Sequence, residues 1–255
     1  MTQGIEGKVV LVTGGGSGIG RAIALTFARE GSAVVVSDVS GEGGNETVRL
    51  IMQNGGEAIF IQCDVSKAVE VQGMIQKIIK TFGQLDYAVN NAGIAGIHKY
   101  VADYPEDIWN KVLNINLTGV WLCMKHEISQ MLSQGGGAIV NIASIAGFAA
   151  QRGASPYIAS KHGVIGLTKA AALEYAKTGI RVNAVCPGIT ATPLIENARS
   201  EVPSEINKIF SGETIPMGRI ALPEEIAGAV IWLCSNAASF VTGHALVVDG
   251  GMIAE

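Results

Sequence analysis

Residues 13–20 read Thr13-Gly14-Gly15-Gly16-Ser17-Gly18-Ile19-Gly20, between a Val- and Leu-rich run at 8–12 and an amphipathic stretch beginning at Arg21. An apolar run, a glycine-rich turn and a helical pattern in that order make a strand–turn–helix unit. Glycines let the turn's backbone N–H groups approach a pyrophosphate, and the positive end of the helix dipole favours its negative charge. The spacing is G-x-x-x-G-x-G, which departs from the G-x-G-x-x-G dinucleotide fingerprint. No Gly-Lys-Ser/Thr follows, so the turn is not the phosphate loop of nucleoside triphosphatases. Taken alone, these eight residues also fit a tight turn with no ligand.

Outward from this unit, the same alternation runs the length of the chain. Apolar runs at 8–12, 33–37, 58–62, 85–89, 138–142, 181–185 and 245–248 predict strands. Most are continuous rather than alternating, as expected where helices cover both faces of a sheet. Helical patterns occupy 18–30, 41–54, 67–82, 105–133, 156–177 and 223–235. Pro105 and Pro223 sit at the starts of two of them, each followed by acidic residues that suit the positive end of a helix. The pattern predicts an α/β fold of the doubly wound kind, with a parallel sheet. No linker, repeat or charge run divides residues 1–255, so one domain is expected. The one long departure is residues 190–222, which carries Pro193, Pro203 and Pro216 and is placed where such folds build substrate lids.

Composition bounds the function. The chain has 255 residues, 48% of them hydrophobic and 16% charged, which excludes a disordered protein. A net charge of −4 leaves no electrostatic footprint for nucleic acid or an anionic membrane. No stretch reaches the roughly 18 uninterrupted apolar residues of a membrane span. Cys63, Cys123, Cys186 and Cys234 are far apart with no C-x-x-C pair, so buried thiols and a cytoplasmic setting are expected. His98, His126, His162 and His244 form no ligand pair, and no metal site is predicted.

Two further features carry chemistry. Asp38 ends the second strand, 18 residues beyond Gly20, where a carboxylate accepts hydrogen bonds from ribose hydroxyls and repels a 2′-phosphate. With Ser17 and Val39 at the flanking positions, NAD is expected rather than NADP. Tyr157 and Lys161 lie four residues apart near a helix start, on one face. Ionising a tyrosine near neutrality requires a shift of roughly three units from its reference pKa, about 4 kcal/mol, and a neighbouring ammonium acts in that direction. Ser144 follows the fifth strand, where its hydroxyl could hold a substrate oxygen. Its context, Asn141-Ile142-Ala143-Ser144-Ile145-Ala146, is not the G-x-S-x-G elbow of a hydrolase.

These residues together resemble the short-chain dehydrogenase/reductase family, from about position 8 to 251. Gly14, Ser17, Gly18, Ile19 and Gly20 match its phosphate turn and Asp64-Val65 its adenine-binding pair, and Asp38 and Val39 are expected beside the adenosine ribose. Asn90-Asn91-Ala92-Gly93 matches the motif after strand four, and Pro187-Gly188-Ile189 with Thr192 the loop that holds the carboxamide. Asp249-Gly250-Gly251 matches a C-terminal signature. Asn116, Ser144, Tyr157 and Lys161 match the catalytic set. The resemblance implies a Rossmann fold with a seven-stranded parallel sheet in order 3-2-1-4-5-6-7. It implies that Tyr157 is general acid/base, that Lys161 lowers its pKa and binds the ribose, that Ser144 orients the substrate oxygen, and that Asn116 continues a proton relay.

The expected reaction is NAD(H)-dependent interconversion of a secondary alcohol and a ketone. Ser144, Ala146, Gln151, Gly188 and Leu194, with Ile195 and Met217, are the expected substrate positions. Three other readings stay open: a 3-oxoacyl (acyl-carrier) reductase, an epimerase or dehydratase, and an inactive NAD-sensing protein. The helical patterns at 105–133 and 156–177 are apolar most of the way round, which predicts a homo-oligomer, and the family resemblance implies a homotetramer or homodimer.

Overall fold

The computed structural model describes residues 4–201 and 212–254, without the side chains of 198–201. Seven strands form one sheet in the order β3-β2-β1-β4-β5-β6-β7, every neighbouring pair parallel. They are β1 (Val9–Thr13), β2 (Ala33–Asp38), β3 (Glu57–Gln62), β4 (Tyr87–Asn90), β5 (Gly137–Ile142), β6 (Ile180–Pro187) and β7 (Ala245–Val248). Between them run α1 (Gly18–Arg29), α2 (Gly41–Gln53), α3 (Ala68–Phe82), α4 (Glu106–Leu113), α5 (Gly119–Gln134), α6 (Ser155–Tyr175), α7 (Pro193–Glu201) and α8 (Pro223–Cys234). This is the doubly wound arrangement expected from the sequence.

The strands read as unbroken apolar runs because successive side chains enter two different cores. Val9 and Leu11 of β1 pack into a cluster with Val71, Met74 and Ile78 of α3 and with α5 and α6. Val10 and Val12 face the other way, into Ala22, Ile23 and Phe27 of α1 and Ile226 and Val230 of α8. A strand buried on both faces has no polar face to show. All four cysteines are buried free thiols. Among the described residues, no helix is long and apolar enough to cross a membrane.

The structure shifts three expected boundaries. Strand four was expected at 85–89, but the Leu85 N–H and carbonyl are both bonded to the Gln134 side chain, and β4 begins at Tyr87. Strand six is longer than expected, reaching Pro187. The helix expected over 105–133 is broken by a π-helical turn, Asn114–Thr118. The Asn116 amide, fully buried there, accepts from the Ile94 N–H (2.9 Å) and donates to the Ile94 carbonyl (2.8 Å). One wide turn sets that side chain against the loop after β4, a placement typical of π turns near functional sites.

Polar groups cross the interior under the β4–β5 pair. Asn90 Nδ2 donates to Glu127 Oε2 and to Asn141 Oδ1, both at 3.0 Å, and Asn141 Nδ2 donates to Thr168 Oγ1 at 2.9 Å. Glu127 is completely buried on α5, and burial pushes its carboxyl up to about 8 against the pull of the Asn90 amide. Its Oε1 and Asn90 Oδ1 have no hydrogen-bond partner, and a protonated carboxyl carries the donor that such a pair of oxygens lacks.

Candidate active site

Two cavities meet at the carboxyl ends of the strands, where open α/β sheets hold ligands. The first, about 370 Å³, runs along Gly14, Ser17 and Gly18, past Asp38 and Val39, to Asp64 and Val65. The second, about 250 Å³, is floored by Ser144, Tyr157 and Lys161. Ile19, Asn91, Gly93, Thr192 and Leu194 line both, so the two form one continuous cleft.

The glycine turn is shaped for a close approach. A Cβ on Gly20 would collide with the Gly14 carbonyl oxygen, so the first turn of α1 packs directly on the loop. Asn91 ties the ends of β1 and β4 together: its Nδ2 donates to the Thr13 and Gly14 carbonyls, both at 3.0 Å, and its N–H donates to Thr13 Oγ1. Ser17 caps α1 with its backbone alone, making no side-chain cap bond, and the first turn holds no acidic residue. Bare N–H groups at a helix start, without a competing carboxylate, fit a phosphate.

Asp38 lines this groove. Its Oδ2 accepts from the Gly16 N–H and its Oδ1 from the Ser40 N–H, both at 2.9 Å, which fixes the carboxylate at the rim. The nearby Arg21 guanidinium is turned to the carbonyls of Gly16 and Gly43 and the Thr47 hydroxyl, and it does not line the cavity. Asp64 is held by the Ser66 side chain and N–H, which keep its carboxyl below the usual range. The residues present therefore fit an adenine dinucleotide, with the ribose end facing a carboxylate.

The second cavity holds the reactive groups. Ser144 stands in extended conformation two residues beyond β5 and accepts from the Ala146 N–H (3.1 Å). Its side chain also hydrogen-bonds Tyr157. Tyr157 and Lys161 lie in the first turns of α6, with Lys161 Nζ 5.5 Å from the phenol ring centre. Nζ donates to the Ile142 carbonyl at 2.8 Å, so this lysine is anchored to the end of β5. Burial pushes the Lys161 ammonium down to about 8 and the Tyr157 phenol up, opposed only by the Ser144 bond. Burial is the larger influence on the phenol here, and the positive charge of a bound oxidised nicotinamide, on which the expected lowering also rests, would act against it.

Every substrate position expected from sequence lines this cavity except Met217. Ala146, Gln151, Gly188, Leu194 and Ile195 are in the wall. Met217 is 65% exposed, and a Cβ on Gly250 would lie 3.4 Å from it. Of the lid expected at 190–222, α7 supplies Leu194 and Ile195 to the wall, while 202–211, Pro203 included, lie outside the described residues. Pro187, Ile189 and Thr192 border the same cleft. Asn116 does not reach it: its side chain holds Ile94 and Ser160, so it shapes the wall from behind. Sequence reasoning missed His98, Arg152 and Met252, which also line the cavity. None belongs to a spaced motif. Met252 arrives because Asp249 folds the C-terminal turn, accepting from the N–H groups of Gly251 and Ile253.

Comparison with known proteins identifies the family and the fold. Residues 14–253 match a family model described as enoyl-(acyl carrier protein) reductase. A short chain dehydrogenase/reductase of Aspergillus oryzae is 45% identical, the match covering 97% of this chain and 95% of that protein. Cyclohexanol dehydrogenase of an Acinetobacter species is 43% identical, with 98% and 96% covered. The crystal structure of levodione reductase superposes with a TM-score of 0.94 at 37% identity, covering 97% of this chain and 98% of that one. An actinorhodin polyketide ketoreductase solved with NADPH gives 0.91 at 40% identity, covering 96% and 97%.

Proposed function

Because the chain belongs to the short-chain dehydrogenase/reductase family of oxidoreductases, we propose that it interconverts a secondary alcohol on a compact ring and the corresponding ketone, using NAD(H). The observation that carries this reading is the convergence of Ser144, Tyr157 and Lys161 on the floor of an apolar cavity continuous with the glycine-lined groove. A volume near 250 Å³, part of it needed for the cofactor ring, suits a six-membered ring better than a long acyl chain. Two relatives whose names refer to cyclohexane-ring alcohols favour the same size.

Gly14, Ser17, Gly18 and Ile19 hold the pyrophosphate, Asp38 and Val39 the adenosine ribose, and Asp64 and Val65 the adenine. Pro187, Gly188, Ile189 and Thr192 border the nicotinamide. When bound, the oxidised nicotinamide supplies a hydride acceptor and a positive charge beside the phenol. Ser144 Oγ holds the substrate oxygen. Tyr157 Oη takes the hydroxyl proton as the alcohol is oxidised and returns it when a ketone is reduced. Lys161, with one N–H on Ile142, has two donors left for ribose hydroxyls and supplies a charge that stabilises a phenolate. Leu194, Ile195 and Met252 keep water from the reacting carbon. An absorbance assay at nicotinamide wavelengths, with ring alcohols and ketones and both cofactors, tests the reading. Tight NAD binding without any turnover would refute it and favour a sensing role.

Asp38 supports NAD over NADP, because a 2′-phosphate would be set against a fixed carboxylate. Asp38→Ala is expected to lower the NAD/NADP ratio of kcat/KM by about 10- to 100-fold, the effect of removing one close like-charge contact. Better use of NADP by the unaltered protein would overturn the assignment.

Self-association is the remaining part of the proposal. Leu117, Trp121, Gly163 and Leu167 line an apolar groove between α5 and α6, with Trp121 46% exposed. A second face is assigned to the exposed Trp232 of α8 and Phe240, two further large apolar side chains open to solvent. Two self-complementary faces generate a tetramer of dihedral symmetry, whereas one gives only a dimer. Sedimentation at micromolar concentration is expected to show a tetramer, and Trp121→Lys to reduce it to a dimer. A monomer in the unaltered protein would contradict both faces.

A further inference from the structure

Two peptides of the glycine turn are held from behind. The Gly15 N–H donates to the Ser37 carbonyl at 3.0 Å and the Gly16 N–H to Asp38 Oδ2 at 2.9 Å. Their carbonyls are taken by side chains from two helices. Thr47 of α2, fully buried, shares its hydroxyl proton between the Gly15 carbonyl (2.9 Å) and the Gly43 carbonyl of its own helix (3.1 Å). The same oxygen accepts from Arg21 Nε at 3.0 Å, and Arg21 Nη2 donates to the carbonyls of Gly16 and Gly43. Every polar backbone group of Gly15 and Gly16 is therefore bonded within the protein. Neither residue lines the cofactor groove, whereas Gly14, Ser17, Gly18 and Ile19 do.

Arg21 is the fourth residue of α1, at the helix end where the dipole is positive, and the first turn holds no acidic residue. A cation fixed there is unfavourable unless an anion lies against the same turn. Its planar fork reaches three acceptors on two chain segments at once, which a lysine ammonium does not do with the same geometry. Arg21 and Thr47 line neither the groove nor the reaction cavity. Any effect they have on a ligand passes through the Gly15-Gly16 backbone and the carboxylate that it holds.

We propose that Arg21 and Thr47 are positioning residues for the adenosine end of the cofactor, and that through them α2 takes part in the choice of NAD over NADP. By holding both carbonyls they turn the Gly16 N–H toward Asp38 and keep its carboxylate fixed in the groove. This rests on the dinucleotide reading of the groove and adds to it two residues that never meet the ligand.

The test is calorimetric titration of ADP-ribose, which carries the adenosine and pyrophosphate but no nicotinamide, and of its 2′-phosphate. The proteins compared are the unaltered chain, Thr47→Val, Thr47→Ser and Arg21→Lys. Thr47→Val and Arg21→Lys should each weaken ADP-ribose binding by about tenfold, the usual cost of a lost charged hydrogen bond. Both should also lower the preference for ADP-ribose over its 2′-phosphate, because a released carboxylate can move away from the added charge. Thr47→Ser keeps the hydroxyl and should bind as the unaltered protein does. In turnover, KM for NAD should rise in step while kcat at saturating NAD holds. Affinity or preference left unchanged by both Thr47→Val and Arg21→Lys overturns the proposal. Equal losses in Thr47→Ser and Thr47→Val also overturn it, since the methyl packing would then matter and not the hydroxyl. If the unaltered protein binds no ADP-ribose, the dinucleotide reading and this one fall together. If it binds ADP-ribose but turns over no alcohol, only the oxidoreductase reading fails, and the titrations still decide the roles of Arg21 and Thr47.

Discussion

Replacing Tyr157 by Phe is expected to cut turnover by two to four orders of magnitude, about the range for loss of a positioned general acid/base, while NAD still binds. The phenyl ring keeps the packing beneath Lys161, 5.5 Å from its Nζ, and removes only the oxygen that bonds Ser144. The pH profiles give a second check. Burial raises the Tyr157 phenol, so the protein holds the neutral acid, the form that protonates a ketone. Reduction should then be fastest at low pH and fall as the phenol ionises. Oxidation needs the ionised oxygen and should rise with pH. In Tyr157→Phe both limbs should flatten. Turnover within a few-fold of the unaltered enzyme would remove Tyr157 from the mechanism, whatever the cofactor affinity.

Glu127→Gln is expected to change how stability depends on pH. The folded Glu127 carboxyl is raised to about 8 from an ordinary value of 4.5, so between those values the folded chain holds a proton that the unfolded chain releases. Stability from this group is complete below pH 4.5 and is lost as pH rises through 8. The maximum slope is about 1.4 kcal/mol per pH unit, so the cumulative loss amounts to several kcal/mol. Glutamine keeps an amide that can bond Asn90 and does not titrate. Denaturant unfolding at a series of pH values should therefore show the unaltered protein losing stability relative to the variant from acid to pH 8. The difference should be constant above that. Lys161, also buried, titrates in both proteins and cancels from the comparison. Parallel profiles would mean that Glu127 is ionised in the fold.

The contrast between these two residues shows which placements spacing reveals. Tyr157 was legible because its partners sit at fixed spacings: Lys161 one helical turn on, and Ser144 just past a strand whose end the apolar run marks. Glu127 was not legible. A glutamate in a helical pattern reads as a solvent-facing residue until packing puts it against Asn90, 37 residues away in the chain and itself bonded to Asn141, 51 residues from it. The break in the helix at Asn116 was hidden for a similar reason, since its cause is the backbone of Ile94, which approaches from another loop.

The sequence by itself determined the parallel sheet, most of its helices and the glycine-lined groove, because these depend on hydrophobic period, glycine and local spacing, all written along one stretch of chain. Only the tertiary structure decided which groups share the reaction cavity and how they are charged. His98, Arg152 and Met252 arrive there from three separate loops. The sign of the Tyr157 and Lys161 shifts follows from burial, a property of everything packed around a group rather than of its neighbours in sequence.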